Sequence, residues 1–170
     1  MGFQHDKTIG AEAWLTPPWI IEALGPFDLD PCAAPEPRPW PTAARHFTEK
    51  EDGLALPWEG RVWLNPPYGQ KTGLWLARLA KHGRGTALVF ARTDTAWFHE
   101  IAREASALLF IRGRLRFHLP DGATAKSSAG APSLLIAFGE DDAERLFKSE
   151  IEGLFIPFLT LKQEQAETGC

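Results

Sequence analysis

At 170 residues, 44% of them hydrophobic and 24% charged, the chain is sized for one domain with its own core rather than two. No apolar run reaches the ~18 residues of a membrane span, Met1 to Asp6 lack the basic start and apolar stretch of a secretory signal, and Cys32 and Cys170 stand outside any CxxC or Cys/His ligand spacing. A cytoplasmic protein without membrane association, disulfide framework or bound metal is expected, and its net charge of −4 excludes a surface basic all over while leaving room for a local basic face.

Short apolar runs alternate with helical patterns and turn clusters, which predicts an α/β domain with a largely parallel sheet. Thr16 offers a hydroxyl N-cap with Pro17 at the first helical position, and a helix runs on through Trp19, Ile20, Ala23 and Leu24 to Gly25. Residues 27–30 read as a strand. Pro35, Pro37, Pro39 and Pro41 forbid both a regular helix and a central strand, so that segment is a loop. Short strands are expected at 46–48 and 61–64, the second ending abruptly at Asn65-Pro66-Pro67-Tyr68-Gly69. Leu74, Trp75, Arg78, Leu79 and His82 keep helical spacing as far as Gly83, and 86–91 is a buried strand. Thr93 or Asp94 caps a helix carrying Trp97, Phe98, Ile101 and Ala105 on one side. Strands at 107–111 and 134–138 form an antiparallel hairpin around the Gly-, Ala- and Ser-rich stretch 122–130, which reads as mobile. The ends, 1–12 and 162–170, read as flexible.

The segment that carries chemistry is Asn65-Pro66-Pro67-Tyr68-Gly69. In an open α/β sheet ligands bind beyond the carboxyl ends of the strands, where this segment falls. Its prolines lack N–H donors and fix φ, so the loop is stiff and its carbonyls point in set directions. The Asn65 side-chain oxygen and the Pro66 carbonyl form a pair of acceptors suited to an NH2 group such as the exocyclic amine of adenine. If each takes one hydrogen, the nitrogen is drawn towards tetrahedral geometry and its lone pair is freed to attack an alkyl donor without a strong base. Removing one such preorganised partner costs about 3–4 kcal/mol in comparable sites. Tyr68 offers a ring on which an extruded base can stack, worth about 1–3 kcal/mol. The same residue types also make plain turns, and it is the order of the surrounding segments that weighs against that reading.

Asn65-Pro66-Pro67-Tyr68 resembles the catalytic motif of amino-group methyltransferases. From Trp14 to Gly139 the chain resembles the compact phage and prophage Dam-type DNA adenine-N6 methyltransferases. The likeness rests on Trp14-Leu15-Thr16-Pro17, Leu29-Asp30-Pro31-Cys32-Ala33, Asp52-Gly53-Leu54, Val62 through Gly69, Ala91-Arg92-Thr93-Asp94-Thr95 and Gly113-Arg114-Leu115. The resemblance implies a Rossmann-like class I methyltransferase fold, mostly parallel with a C-terminal antiparallel hairpin, that binds S-adenosylmethionine. It also implies transfer of the methyl group to a flipped adenine in double-stranded DNA, with catalytic roles for Asn65, Pro66, Pro67 and Tyr68.

On the cofactor side, the resemblance implies Asp30 opposite the methionine ammonium, with Pro31, Cys32 and Ala33 lining the same end. Asp52 would accept from the cofactor's adenine amine, with Gly53 beside it and Leu54 against the ring, while Trp14, Thr16 and Pro17 close over the methionine moiety. No Gly-x-Gly pair follows the first strand, so Pro31 to Ala33 must approach the cofactor without glycines. Ordinary readings compete at several of these positions: Asp30-Pro31 as a strand ending, Asp52-Gly53 as a solvated turn, Thr16-Pro17 as a helix start. Glu49 is a candidate for the cofactor ribose on position alone, against a plain surface carboxylate.

On the substrate side, Tyr68 and Gly69 with Arg92, Thr93 and Asp94 border the implied base pocket. Arg112, Arg114 and Arg116 alternate and so emerge on one face, either along phosphates or as the charged guard of an edge strand. Lys126 sits beside them in the 122–130 stretch, the loop expected to be ordered by DNA. Two other functions share this pattern. An N5-glutamine protein methyltransferase would use the same clamp but usually has a helical substrate domain ahead of the core, and only thirteen residues precede Trp14. A non-catalytic nucleotide- or DNA-binding module would inherit the scaffold alone. No segment between or after the motifs has the length of a separate target-recognition domain, so a very short or loose recognition site is expected.

Overall fold

Strands and helices alternate along the computed structural model, which describes residues 14–158; the ends expected to be flexible, 1–12 and 162–170, lie outside the described residues, as does Cys170. The helices are α1 (Pro18–Leu24), α2 (Thr72–His82), α3 (Ala96–Ala102) and α4 (Glu140–Lys148). The strands are β1 (Leu29–Asp30), β2 (Arg45–His46), β3 (Val62–Leu64), β4 (Gly85–Phe90), β5 (Ala107–Ile111), β6 (Ser133–Phe138) and β7 (Gly153–Pro157). All of them join one seven-stranded sheet of order β2-β1-β3-β4-β6-β5-β7.

The sheet is parallel on one side and antiparallel on the other. β1 pairs parallel with β2 and β3, and β3 with β4. β6 pairs antiparallel with both β4 and β5, and β7 antiparallel with β5. This corrects the expectation of a mostly parallel sheet closed by one hairpin. The hairpin strands β5 and β6 do pair, but β6 inserts against β4 with the longest register in the sheet, from Gly85 opposite Phe138 to Phe90 opposite Ser133. The reason is burial: every residue of β6 is buried, so it takes a central place, whereas β7 is exposed or half-buried throughout and forms the edge.

Side chains alternate between two cores. Val62 and Leu64 join Leu76, Leu79 and Ile101 from α2 and α3 on one face, while Trp63 joins Ile20, Leu24 and Leu146 from α1 and α4 on the other. A short strand covered on both faces must be apolar throughout, and Val-Trp-Leu is.

Helix boundaries revise two further expectations. Pro17 is the N-cap of α1, with proline following it at the first position and no side-chain cap, so Thr16 caps nothing and its hydroxyl is free for other work. α3 starts after Thr95, whose hydroxyl donates to the Arg92 carbonyl at 2.7 Å, so neither Thr93 nor Asp94 caps it. The 122–130 stretch, expected to be mobile, is hydrogen-bonded to the segment before it: Ala125 N donates to Phe117 O at 2.9 Å, Ala129 N to Leu115 O at 2.7 Å, and His118 pairs with Thr124. Its small side chains allow this close pairing and let Ala125 bury. The Gly83 stop of α2 is as predicted, with φ 74° in the left-handed region.

Candidate active site

β3 delivers Asn65 to the carboxyl edge of the sheet, where its amide is tied through the nitrogen and unpartnered at the oxygen. Asn65 Nδ2 donates to the Trp14 carbonyl at 3.2 Å and to the Thr16 hydroxyl at 3.3 Å. A carbonyl can only accept, so this contact fixes the nitrogen towards Trp14 and the oxygen away from it. Asn65 Oδ1 is buried without a hydrogen-bond partner, and a buried acceptor left bare costs about 1–3 kcal/mol. The Pro66 carbonyl accepts no hydrogen bond among the described residues either.

The strap over Asn65 is itself pinned. Leu15 and His118 exchange backbone hydrogen bonds of 2.9 and 3.0 Å. Trp40 Nε1 donates to the Thr16 carbonyl at 3.2 Å, and its ring stands edge-on to His118 with centroids 5.0 Å apart. These contacts explain why Thr16 is fully buried while the Trp14 side chain remains exposed.

Thr72, the first residue of α2, knits the loop that holds Tyr68. Its hydroxyl donates to the Pro67 carbonyl at 3.0 Å and accepts from Gly69 N–H at 3.1 Å, and its own N–H donates to Gly69 O at 3.2 Å. Gly69 has φ 130° with open space where a Cβ would stand, so backbone conformation and not crowding calls for glycine. Tyr68 stacks on Phe90, the last residue of β4, with centroids 4.1 Å apart and planes 4° from parallel. Desolvation raises its phenol above the ordinary value, so the hydroxyl stays protonated. Thr72 and Phe90 both escaped the sequence reading. A threonine just after Pro-Pro-Tyr-Gly at a helix start is the signal that could have found the first.

The turn after β1 is stapled to the same edge. Asp30 Oδ1 accepts from Cys32 N–H at 3.1 Å and Oδ2 from the Thr42 hydroxyl at 2.5 Å. Burial pushes this carboxyl up to about 6, against the opposing pull of those hydrogen bonds and of Arg38. The Cys32 thiol donates to the Asn65 carbonyl at 3.3 Å, and burial raises its pKa too, so it stays a donor. Gly53 backs directly onto Pro31: a Cβ there would lie 1.9 Å from the Pro31 carbonyl oxygen, so only glycine fits. Trp58 Nε1 holds the Gly53 carbonyl at 2.7 Å, and the Arg78 guanidinium donates to the carbonyls of Leu54 and Leu56. Asp52 is exposed with φ 44°. Two independent ties, Cys32 to Asn65 and Gly53 to Pro31, thus gather the segments around Asp30, Asp52 and Asn65. Ala33 is buried beside them and Leu54 packs against the core, whereas Glu49 is exposed in a turn.

The predicted substrate residues divide into two groups. Arg92, Thr93 and Asp94 are exposed just beyond Phe90, with Arg92 N bonded to Phe90 O at 2.8 Å. Arg112, Arg114 and Arg116 are exposed on a segment whose Leu115 and Phe117 are buried, and they line an open cleft of about 550 Å³ that begins at Pro17 rather than at Asn65. The row lies after β5 and belongs to no strand of the sheet, so it is not an edge-strand guard. Lys126 is exposed on the stretch paired with this segment. Among the described residues no helix is long and apolar enough to cross a membrane, and no cluster of three or more His, Cys, Asp and Glu could hold a metal ion.

A family model described as DNA N-6-adenine-methyltransferase (Dam) matches residues 5–152. No curated protein and no solved structure matches the chain. A tied amide with a bare oxygen on a Pro-Pro-Tyr loop accords with that description, and since the match spans most of its length, the chain belongs to the Dam family of DNA N6-adenine methyltransferases.

Proposed function

We propose that the protein transfers the methyl group of S-adenosylmethionine to N6 of an adenine turned out of double-stranded DNA, on a sheet of Rossmann-like class I descent. The observation that carries this reading is the bare, buried Oδ1 of Asn65 on an amide whose nitrogen is held twice. Strand direction supports the descent: β1 to β5 all run the same way, because β6 reverses against both β4 and β5.

The residues at the β1 and β3 edge fit this cofactor. The Asp30 carboxyl is held near pKa 6 by burial, so a positive ammonium beside it would favour its ionised form and relieve that cost. Pro31, Cys32 and Ala33 line the same end, with Asp52, Gly53 and Leu54 packed behind through Gly53. Trp14, Thr16 and Pro17 form the strap above. When bound, the sulfonium supplies an electrophilic methyl group.

The chain's own groups then act on the base. Asn65 Oδ1 and the Pro66 carbonyl each accept one N6 hydrogen, which localises the nitrogen lone pair and meets the positive charge that grows on nitrogen during transfer. Acceptors fixed in advance gain most in the transition state, since no reorganisation is needed at that moment. Tyr68, braced by Phe90 behind it, offers its free face to the base, with Gly69, Arg92, Thr93 and Asp94 at the rim. After transfer the charged amine is acidic enough to lose its proton to water.

The test is tritiated methyl transfer with S-adenosylmethionine, DNA and protein acceptors together. Label recovered as N6-methyladenine in DNA is expected. Label in protein glutamine would favour an N5-glutamine methyltransferase, and no label in either macromolecule would leave only a binding module.

A further inference from the structure

The cleft beside Pro17 plays no part in the chemistry above, yet it is built from unlike materials. Arg112, Arg114 and Arg116 line it together with Glu150 and Glu152, and Trp19 of α1, 46% exposed, lines it as well. These charges are largely unspent on one another. Arg112 meets Glu152 at 3.7 Å with both side chains nearly four-fifths exposed, Arg114 donates to the Ala129 carbonyl at 3.3 Å, and Arg116 has no ion-pair partner among the described residues.

A simple phosphate track would not carry two carboxylates, because each repels the backbone the arginines attract. Carboxylates are acceptors, and what they take from a base edge is an amino group. An indole supplies a stacking face for any base ring. Cation, ring and acceptor together match the three parts of one nucleotide.

Glu150 adds an independent indication. It directly follows the C-cap of α4 with φ 58°, a left-handed position that helix ends ordinarily give to glycine or asparagine. A glutamate there costs stability, and backbone cost of this kind collects at binding sites. Position matters too: Pro17, in the strap beside Thr16 whose hydroxyl accepts from the Asn65 amide, itself lines the cleft.

We propose that this cleft is a second nucleotide subsite, reading an amino-bearing base next to the target adenine. Arg114 and Arg116 take the phosphate, Trp19 the ring and Glu150 the exocyclic amine. The inference rests on the DNA-methylating reading above.

The experiment uses the full chain and four labelled duplexes that share one target adenine and differ only in the base pair beside it, with methylation scored at the target adenine alone. Binding is followed by fluorescence anisotropy, and methylation separately by kcat/KM. The wild type should disfavour a thymine neighbour by about tenfold, the lower range for losing one good base contact. Glu150→Gly should level the four duplexes to within about twofold while keeping or raising the thermal midpoint, because glycine suits the backbone there. Trp19→Ala should weaken binding of all four about tenfold and leave cofactor affinity unchanged. A thymine penalty that survives Glu150→Gly, or binding indifferent to Trp19→Ala, overturns the subsite. If no duplex is methylated but binding keeps both dependences, the catalytic reading falls and the subsite stands; methylation with neither dependence gives the reverse.

Discussion

Arg61 and Asn65 flank the three residues of β3 and use their polar groups in opposite ways. At its amino end, Arg61 and Asp142 form a buried ion pair at 2.8 Å. Arg61 Nη1 also donates to the carbonyls of Leu24 at 2.6 Å and Pro26 at 2.9 Å, its guanidinium lies 4.1 Å from the Phe27 ring centroid, and Thr86 donates to Asp142 at 2.9 Å. These contacts bind α1, β3, β4 and α4 together. Arg61 Nη2 and Asp142 Oδ2 stay unpaired, but on groups whose charges already cancel. At the carboxyl end the Asn65 side chain is neutral, its amide held by the nitrogen alone, with its acceptor bare and facing no protein donor. Folding sets opposite charges against each other at one end and leaves a neutral amide with a bare acceptor at the other.

The contrast can be broken by exchanging the two outcomes. Arg61→Met should cost about 3–5 kcal/mol in denaturant unfolding, since Asp142 is left buried without its counter-charge, with most of that recovered by adding Asp142→Leu. Transfer per folded molecule should stay within about twofold, because the site at the other end is untouched. Asn65→Ala should do the converse, lowering kcat by several hundredfold or more for the loss of about 3–4 kcal/mol of transition-state stabilisation, with cofactor affinity and unfolding midpoint nearly unchanged. If Asn65→Ala proves as destabilising as Arg61→Met, the two ends are not different in kind.

Smaller changes sharpen the same comparison. Thr72→Val removes the hydroxyl between Pro67 and Gly69 and should lower kcat about tenfold with KM for DNA nearly constant, at about 1–1.5 kcal/mol for the hydrogen bonds lost; Thr72→Ser should restore the rate. Asp30 gives a pH signature. Its folded value near 6 lies above the unfolded one, so the native state binds the proton more tightly and stability should fall as pH climbs from about 4 to 6. Unfolding midpoints across that window should lose this slope in Asp30→Asn, while cofactor affinity in the wild type should rise as the carboxyl ionises. A slope unchanged in Asp30→Asn would assign it to another group.

What could be read beforehand was decided by local chemistry. Asn65 to Gly69 was legible because proline and a strand end fix a loop with little help from the rest of the chain, and β5 was found at its full extent, Ala107–Ile111, from a continuous apolar run. Thr16 was misjudged because Thr-Pro-Pro fits two helix starts, and only the contact with Asn65 shows why the hydroxyl is withheld from capping. The 122–130 stretch looked mobile by composition, yet its bonds go to 115–119, a pairing that no local pattern announces. α4 was missed because three acids in a row suggest solvent, whereas Asp142 turns inward to an arginine 81 residues earlier. β7 has no alternation and ends in proline, and it is a strand because β5 has a free edge.

The insertion of β6 against β4 has a consequence for synthesis. β4 emerges from the ribosome long before its antiparallel neighbour, and until 133–138 has been made its apolar length has a strand on one side only. The nascent chain therefore carries an open, sticky border through about a quarter of its translation, a condition that invites pairing between molecules. Truncated products ending before Ser133 should accumulate as aggregates rather than as smaller soluble domains, and slow translation through that interval should lower the yield of native protein.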